Sequence, residues 1–335
     1  MITRSARVKH TPAWQTELAE AISDPAELLR RLRLDSALLP AARRAVRLFP
    51  LRAPLSYVAR MKPGDPDDPL LRQVLPLDIE CEDARGFVAD PVGDLRAMPV
   101  PGLLHKYHGR VLLIATGACA VHCRYCFRRH FPYGDARPSA DSWRPALDYI
   151  AADHSIREVI LSGGDPLSLN DRRLSELVAR IEAINHVQRL RIHTRQPVVL
   201  PARVDDALLE WLGETRLDKI VVVHVNHANE LDTTVIGALN RFKTADVTLL
   251  NQSVLLRGVN DSVAALRGLS EALFTAGVLP YYLHLLDRVQ GAAHFDVSVE
   301  RGLELIDNLN DSLPGYLVPR LVTERAGDRA KRWLS

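Results

Sequence analysis

Lysine is scarce in this chain. Six occur in 335 residues, at Lys9, Lys62, Lys106, Lys219, Lys243 and Lys331, and the rest of the 43 basic residues are arginine. Chemistry that needs a lysine amine, a Schiff base above all, therefore has few candidates. Cysteine is scarcer still. Four cysteines in a chain of this length make no disulfide framework, and three of them, Cys119, Cys123 and Cys126, lie close together. An excess of one charge is also missing. The 43 Lys and Arg face 41 Asp and Glu, for a net charge of +2. That near balance leaves no electrostatic footprint for nucleic acid or an anionic membrane. No apolar run approaches the ~20 residues of a membrane span. The polar, basic start has no apolar segment behind it, so no signal peptide is expected. The expected location is the cytoplasm, where clustered cysteines serve metals or catalysis.

What is present is ample apolar material, 47% of the residues, enough for a large core. Residues 1–100 read as a helical and irregular region. Asp24 suits an N-cap and Pro25 the first helical position, with apolar periodicity over 26–34. A second helix is expected over 41–48. The KPGDPDDP stretch at 62–69 excludes regular structure, and 91–102 is again rich in Pro and Gly. Cys81 reads as a small half-buried residue.

From residue 110 the pattern changes. Short β-branched apolar runs recur at 111–115, 159–162, 190–193, 220–224, 247–252 and 279–285. Helical patterns follow most of them, at 170–184, 205–212, 233–242, 261–276 (closed by Gly277) and 299–309. A restart about every thirty residues is the unit length of a (β/α)8 barrel. Six units imply an α/β fold, a partial (β/α)6 TIM-like barrel over 101–315. A doubly wound sheet is the alternative, but no GxGxxG follows the first strand. Barrel sites lie at the C-terminal ends of the strands. The residues there, 119–129, 163–165, 193–196, 224–229, 251–253 and 284–287, are nearly all polar, as a ligand-binding rim requires.

The cysteine run reads Cys119-Ala-Val-His-Cys123-Arg-Tyr-Cys126. Zinc and ordinary four-iron sites take a fourth protein ligand, and a zinc site would need His122 or Cys81 to complete it. Three thiolates instead satisfy three irons of a [4Fe–4S] cubane. The open iron can then chelate the amino and carboxylate groups of a methionine moiety. The CxxxCxxC spacing, with Tyr125 before the last cysteine, resembles the radical S-adenosylmethionine superfamily. Ser162-Gly163-Gly164-Asp165 after the second strand resembles that superfamily's segment for the methionine amino group, where glycines let backbone approach a ligand.

A narrower resemblance runs from 106 to 331. HKYHGRVLLIATGACAVHCRYCFRRHF, LSGGDPL, IHTRQPVVLP, VHVNHANE, NQSVLLRGVND and YYLHLLD occur in order, as in the lysine 2,3-aminomutase family. The resemblance implies conversion of L-α-lysine to β-lysine by radical 1,2-amino migration. Its cofactors would be the cluster, S-adenosylmethionine and pyridoxal 5′-phosphate. It implies Lys331 as the pyridoxal lysine, carried on a C-terminal segment over 316–335. Lys106, Tyr107 and Arg110 would lie near the cofactor phosphate, with Lys106 standing where an arginine is expected. His224 and Gln252 would lie near S-adenosylmethionine. Arg128 would hold the substrate carboxylate, and Asp287 and Glu324 the distal ammonium. Two such acids argue against a glutamate aminomutase. The short form, with no cysteine after Cys126, resembles proteins that supply β-lysine for elongation factor P. Implied partners are free lysine, the β-lysine ligase of elongation factor P and a flavodoxin- or ferredoxin-type electron donor. A homo-oligomer is compatible with it, and a non-catalytic zinc-stabilised binding protein is the reading from another class.

Overall fold

The apolar runs become strands because β-branched side chains pack well on a sheet covered on both faces. The computed structural model describes residues 11–134 and 143–335. One sheet runs in chain order through β1 (Leu103–Tyr107), β2 (Arg110–Thr116), β3 (Glu158–Gly163), β4 (Arg189–Thr194), β5 (Asp218–Val223), β6 (Thr248–Val254), β7 (Leu279–His284), β8 (Arg320–Thr323) and β9 (Arg332–Trp333). Strands β2 to β8 are parallel, and β1 and β9 pair antiparallel at the two ends.

A helix joins each parallel pair: Arg144–Ala152, Asp171–Glu182, Asp206–Glu214, Thr233–Arg241, Val263–Thr275 and Val299–Asn310. Strand order never reverses, so there is no topological switch point of a doubly wound sheet. This is a partial TIM-like barrel. The six expected strands are β2 to β7. The seventh parallel strand, β8, escaped the pattern because it has only four residues after Pro319. Local chemistry sets the helix starts. Asn170, Asp205, Asp232, Ser262 and Ser298 each accept a backbone N–H of the first turn. The helix expected from 261 thus begins after Ser262, and Gly277 closes it at φ +75°.

The main core lies between sheet and helices, with Val159, Leu161, Leu177, Ile192, Val221 and Leu239 all buried. A second core determines where the site sits. It joins Trp14, Leu28, Tyr57 and Leu70 of the N-terminal helices to Ala120 and Val121 of the cysteine loop and to Val199 and Leu200. Asp24 caps the helix Pro25–Arg31 as expected, and the helix expected at 41–48 is Leu39–Val46. Cys81 is exposed rather than half-buried. It ends the short 3-10 turn Asp78–Cys81, whose Glu80 turns inward instead.

Candidate active site

The C-terminal strand ends enclose a cavity of about 650 Å³, within the usual size for small-molecule sites. The loop after β2 brings Cys119, Cys123 and Cys126 to its wall, each partly exposed. Burial pushes the Cys119 thiol up. Burial, with Cys123 adding, pushes Cys126 to about 11. Such thiols ionise when a metal takes the proton's place, so the donor set fits a thiolate-bound cluster. Of the two candidate fourth zinc ligands, Cys81 is not on the cavity wall, while His122 lines it with Nδ1 3.0 Å from the Pro50 carbonyl. Among the described residues no three His, Cys, Asp or Glu side chains gather as one metal ion would require; a cubane is held at separate corners.

Ser162, Gly163, Gly164 and Asp165 follow β3 and line the same cavity. A Cβ on Gly164 would lie 2.4 Å from the Ala118 carbonyl oxygen, and one on Gly163, at φ +121°, 2.6 Å from that of Thr116. These glycines therefore let the turn press against the backbone leading to Cys119. The Asp165 carboxylate is fully engaged. It accepts from Thr194 Oγ1 at 2.7 Å and from the backbone N–H of Arg195, Leu167 and Gln196. It clamps the β3 and β4 ends together.

A chain of opposite charges crosses the cavity wall. Lys331 Nζ donates to Glu324 Oε2 at 2.9 Å, and Lys106 Nζ to Glu324 Oε1 at 2.8 Å. Lys106 also meets Asp94 Oδ1 at 2.5 Å, and Arg128 Nε donates to Asp94 Oδ2 at 2.7 Å. Arg128 Nη1 reaches Ser162 Oγ at 3.2 Å. Burial alone would raise the Glu324 carboxyl, but Lys331 and Lys106 hold it well below the usual range. Burial opposes the charge of Arg128, and Asp94 more than restores it. Arg128 keeps Nη2 without a hydrogen bond among the described residues, in a geometry suited to a carboxylate.

Lys106 Nζ thus meets Asp94 and Glu324 and also donates to the Val92 carbonyl at 2.9 Å, and Glu324 lies between two lysines. A further acid, Asp287, lines the same cavity. Burial pushes it up to about 7, with Lys331 opposing and Glu324 adding.

His224, Gln252, His193 and His284 line the cavity. The Nε2 atoms of the three histidines are buried without a hydrogen-bond partner among the described residues. Burial drives His224 down to about 3 and the other two well below their ordinary value, so all three are neutral imidazoles at pH 7. The Tyr107 hydroxyl is buried beside the Glu324 carboxylate, and burial together with that acid pushes it well up. Arg110 stacks over the Tyr107 ring at 4.8 Å and makes no ion pair among the described residues. Orphaned polar atoms around such a cavity fit a polar aromatic ligand.

Sequence reasoning missed Asp94, Gln73 and Tyr57, and gave Arg195, within the rim segment 193–196, no role of its own. Asp94 sits in the Pro/Gly-rich passage at 91–102, where no periodicity marks it, and the other three are recognisable only by what they touch.

Three thiols on the loop after the first parallel barrel strand, pressed against a Gly-Gly turn, define a radical S-adenosylmethionine enzyme. Residues 113–266 match the Radical SAM superfamily. L-lysine 2,3-aminomutase of Escherichia coli is 51% identical over 319 residues, covering 95% of this chain and 93% of that protein. The Haemophilus influenzae protein of the same name is 48% identical, over 97% of this chain and 96% of its own. L-lysine 2,3-aminomutase of Clostridium subterminale is 35% identical, over 95% of this chain and 76% of its own. The chain belongs to the lysine 2,3-aminomutase family. Membership implies an isomerase with a [4Fe–4S] cluster, S-adenosylmethionine and a reductant for the cluster. No helix among the described residues is long and apolar enough to cross a membrane.

Proposed function

We propose that the protein converts L-α-lysine to β-lysine with pyridoxal 5′-phosphate held at Lys331. One observation carries this reading: Arg128, Asp287 and Lys331 face a single cavity with the three cysteines. A carboxylate partner, an ammonium partner and a lysine amine are what a bound diamino acid and its carbonyl cofactor require. When bound, the cluster with S-adenosylmethionine supplies the initiating radical, and pyridoxal phosphate delocalises spin during the amino shift.

The residues do the rest by binding and orientation. Arg128 turns Nη2 to the substrate carboxylate while Asp94 fixes its opposite edge. Asp287 accepts the distal ammonium. Arg110, with Lys106 and Tyr107 beside it, takes the cofactor phosphate. The neutral histidines contact the organic ligands without adding charge. Asp287 also disfavours glutamate, whose distal carboxylate it would repel.

The finer assignment is that β-lysine made here is passed to the ligase that modifies elongation factor P, in the cytoplasm, with a flavodoxin or ferredoxin as electron donor. The resemblance to the short family members supports it. The test of the reaction is anaerobic incubation of reduced holoenzyme with lysine and S-adenosylmethionine. β-Lysine is the expected product, and recovery of unchanged lysine while S-adenosylmethionine is cleaved would point to another substrate. The test of the destination is the mass of elongation factor P after deletion of the gene, expected to lack the β-lysyl increment.

Two predictions follow from these contacts. Arg128→Lys keeps the charge but loses the fork, so KM for lysine should rise about 10- to 100-fold with little change in the affinity for S-adenosylmethionine. Equal losses for both would mean that Arg128 only shapes the pocket. Asp287 is protonated below about 7, so KM for lysine should rise as pH falls through that value. Asp287→Asn should raise KM at high pH and flatten the profile; a persisting inflection would assign the titration to another group.

A further inference from the structure

A buried guanidinium holds the middle cysteine of the motif. Arg195 follows β4 and is 4% exposed. Its Nη1 donates to Cys123 Sγ at 2.8 Å. Its Nη2 donates to Gln73 Oε1 at 2.7 Å, Glu230 Oε2 at 2.9 Å and Tyr57 Oη at 3.0 Å. Glu230 is fully buried and is pinned in turn by Gln73 Nε2 at 3.2 Å and by the backbone N–H of Asn226 at 2.9 Å and His227 at 3.2 Å. The Arg195 guanidinium also lies over the rings of Tyr57 and Tyr125, 5.3 and 5.7 Å from their centroids. Tyr57 and Gln73 come from the N-terminal helical region, while Arg195 and Glu230 follow barrel strands. Elements from both parts of the chain thus hold one cation against one thiol.

We propose that Arg195 is a positioning residue that raises the reduction potential of the cluster through its hydrogen bond to the Cys123 thiolate, with Glu230 as the opposing charge behind it. The inference rests on Cys123 being a cluster ligand. Reduction adds one electron, and so one negative charge, to the cluster. A donor cation on a ligating sulfur stabilises that reduced state, and hydrogen bonds to the sulfurs are among the factors that set such potentials. Glu230 acts with the opposite sign and from farther away, since it touches the guanidinium edge remote from Cys123. The N-terminal region thereby gains a role: Tyr57 and Gln73 aim the guanidinium.

The test is a redox titration of the full-length, anaerobically reconstituted protein, following the signal of the reduced cluster and counting iron and sulfide. Arg195→Gln should shift the midpoint down and Glu230→Gln should shift it up, with Arg195→Lys between Arg195→Gln and the parent protein. Opposite shifts from two neighbouring buried residues are not what a merely structural role produces. Unchanged midpoints, or shifts of one sign, would overturn the proposal. If Arg195→Gln takes up no cluster, Arg195→Lys and Glu230→Gln decide; failure of all three to bind iron would overturn the proposal in favour of a purely structural role. Iron content of Cys123→Ala tests the ligand assignment separately, so the two failures are distinguishable.

Discussion

Cys123→Ala protein, reconstituted without oxygen, is expected to lose the four-iron cluster and with it all reductive cleavage of S-adenosylmethionine. A three-thiolate site has no spare thiolate, and Cys81, the fourth cysteine of the chain, is not on the cavity wall. The fold should survive the change. Cys123 packs beside the second core, but that core is built from Trp14, Leu28, Tyr57, Leu70 and Val121, and Ala is smaller than Cys. The measurements are iron and sulfide per chain, the charge-transfer absorption of the cluster, and 5′-deoxyadenosine formation under reducing conditions. Intact cleavage activity with normal iron would refute the ligand assignment. Normal circular dichroism with no iron is the expected combination.

Lys331→Ala is expected to abolish the borohydride-trapped pyridoxal adduct and to reduce lysine conversion to background. The reasoning starts from the scarcity of lysine. Among the described residues only Lys106 and Lys331 line the cavity, and Lys106 has spent its donors on Asp94, Glu324 and Val92. Lys331 has one partner, Glu324, at 2.9 Å. Removing Lys331 leaves Glu324 still paired with Lys106 at 2.8 Å, so no buried charge is stranded and the fold should survive. Cluster content and binding of S-adenosylmethionine should be unchanged. An adduct that survives in Lys331→Ala and vanishes in Lys106→Ala would reassign the cofactor lysine and overturn the network as drawn. Together the two variants separate the reaction's two halves: one loses the radical source, the other the carbonyl cofactor.

The six main strands could be located in the sequence because short apolar runs, most of them containing β-branched residues, recur at near-regular spacing and turn polar at their C-terminal ends. The helix starts could be located because Asn170, Asp205 and Ser298 cap locally. The edge strands β1 and β9 could not. Leu103–Tyr107 follows a Pro/Gly-rich passage, and Arg332–Trp333 is two residues long. Both exist through antiparallel pairing with the neighbouring strands β2 and β8 rather than through an apolar pattern of their own. At the site, Cys119, Cys123 and Cys126 announced themselves by spacing, and Ser162–Asp165 by position. The function of Asp165 did not follow from position. Its carboxylate is consumed by four donors that lie as far along the chain as Gln196.

The parallel barrel, the family and the three candidate cluster thiols could all be read from the chain alone, because each is written in local spacing or in the repeat of strand and helix. The sequence also narrowed the amine chemistry to six lysines. Only the tertiary structure decided how charge is shared around the cavity. It set Asp94 between Lys106 and Arg128, tied Glu324 to two lysines, left Asp287 as the unpaired acid and placed Arg195 on Cys123. These pairings join residues up to 218 positions apart. Desolvation makes each buried charge depend on its nearest opposite charge, and which charge is nearest is a property of the fold.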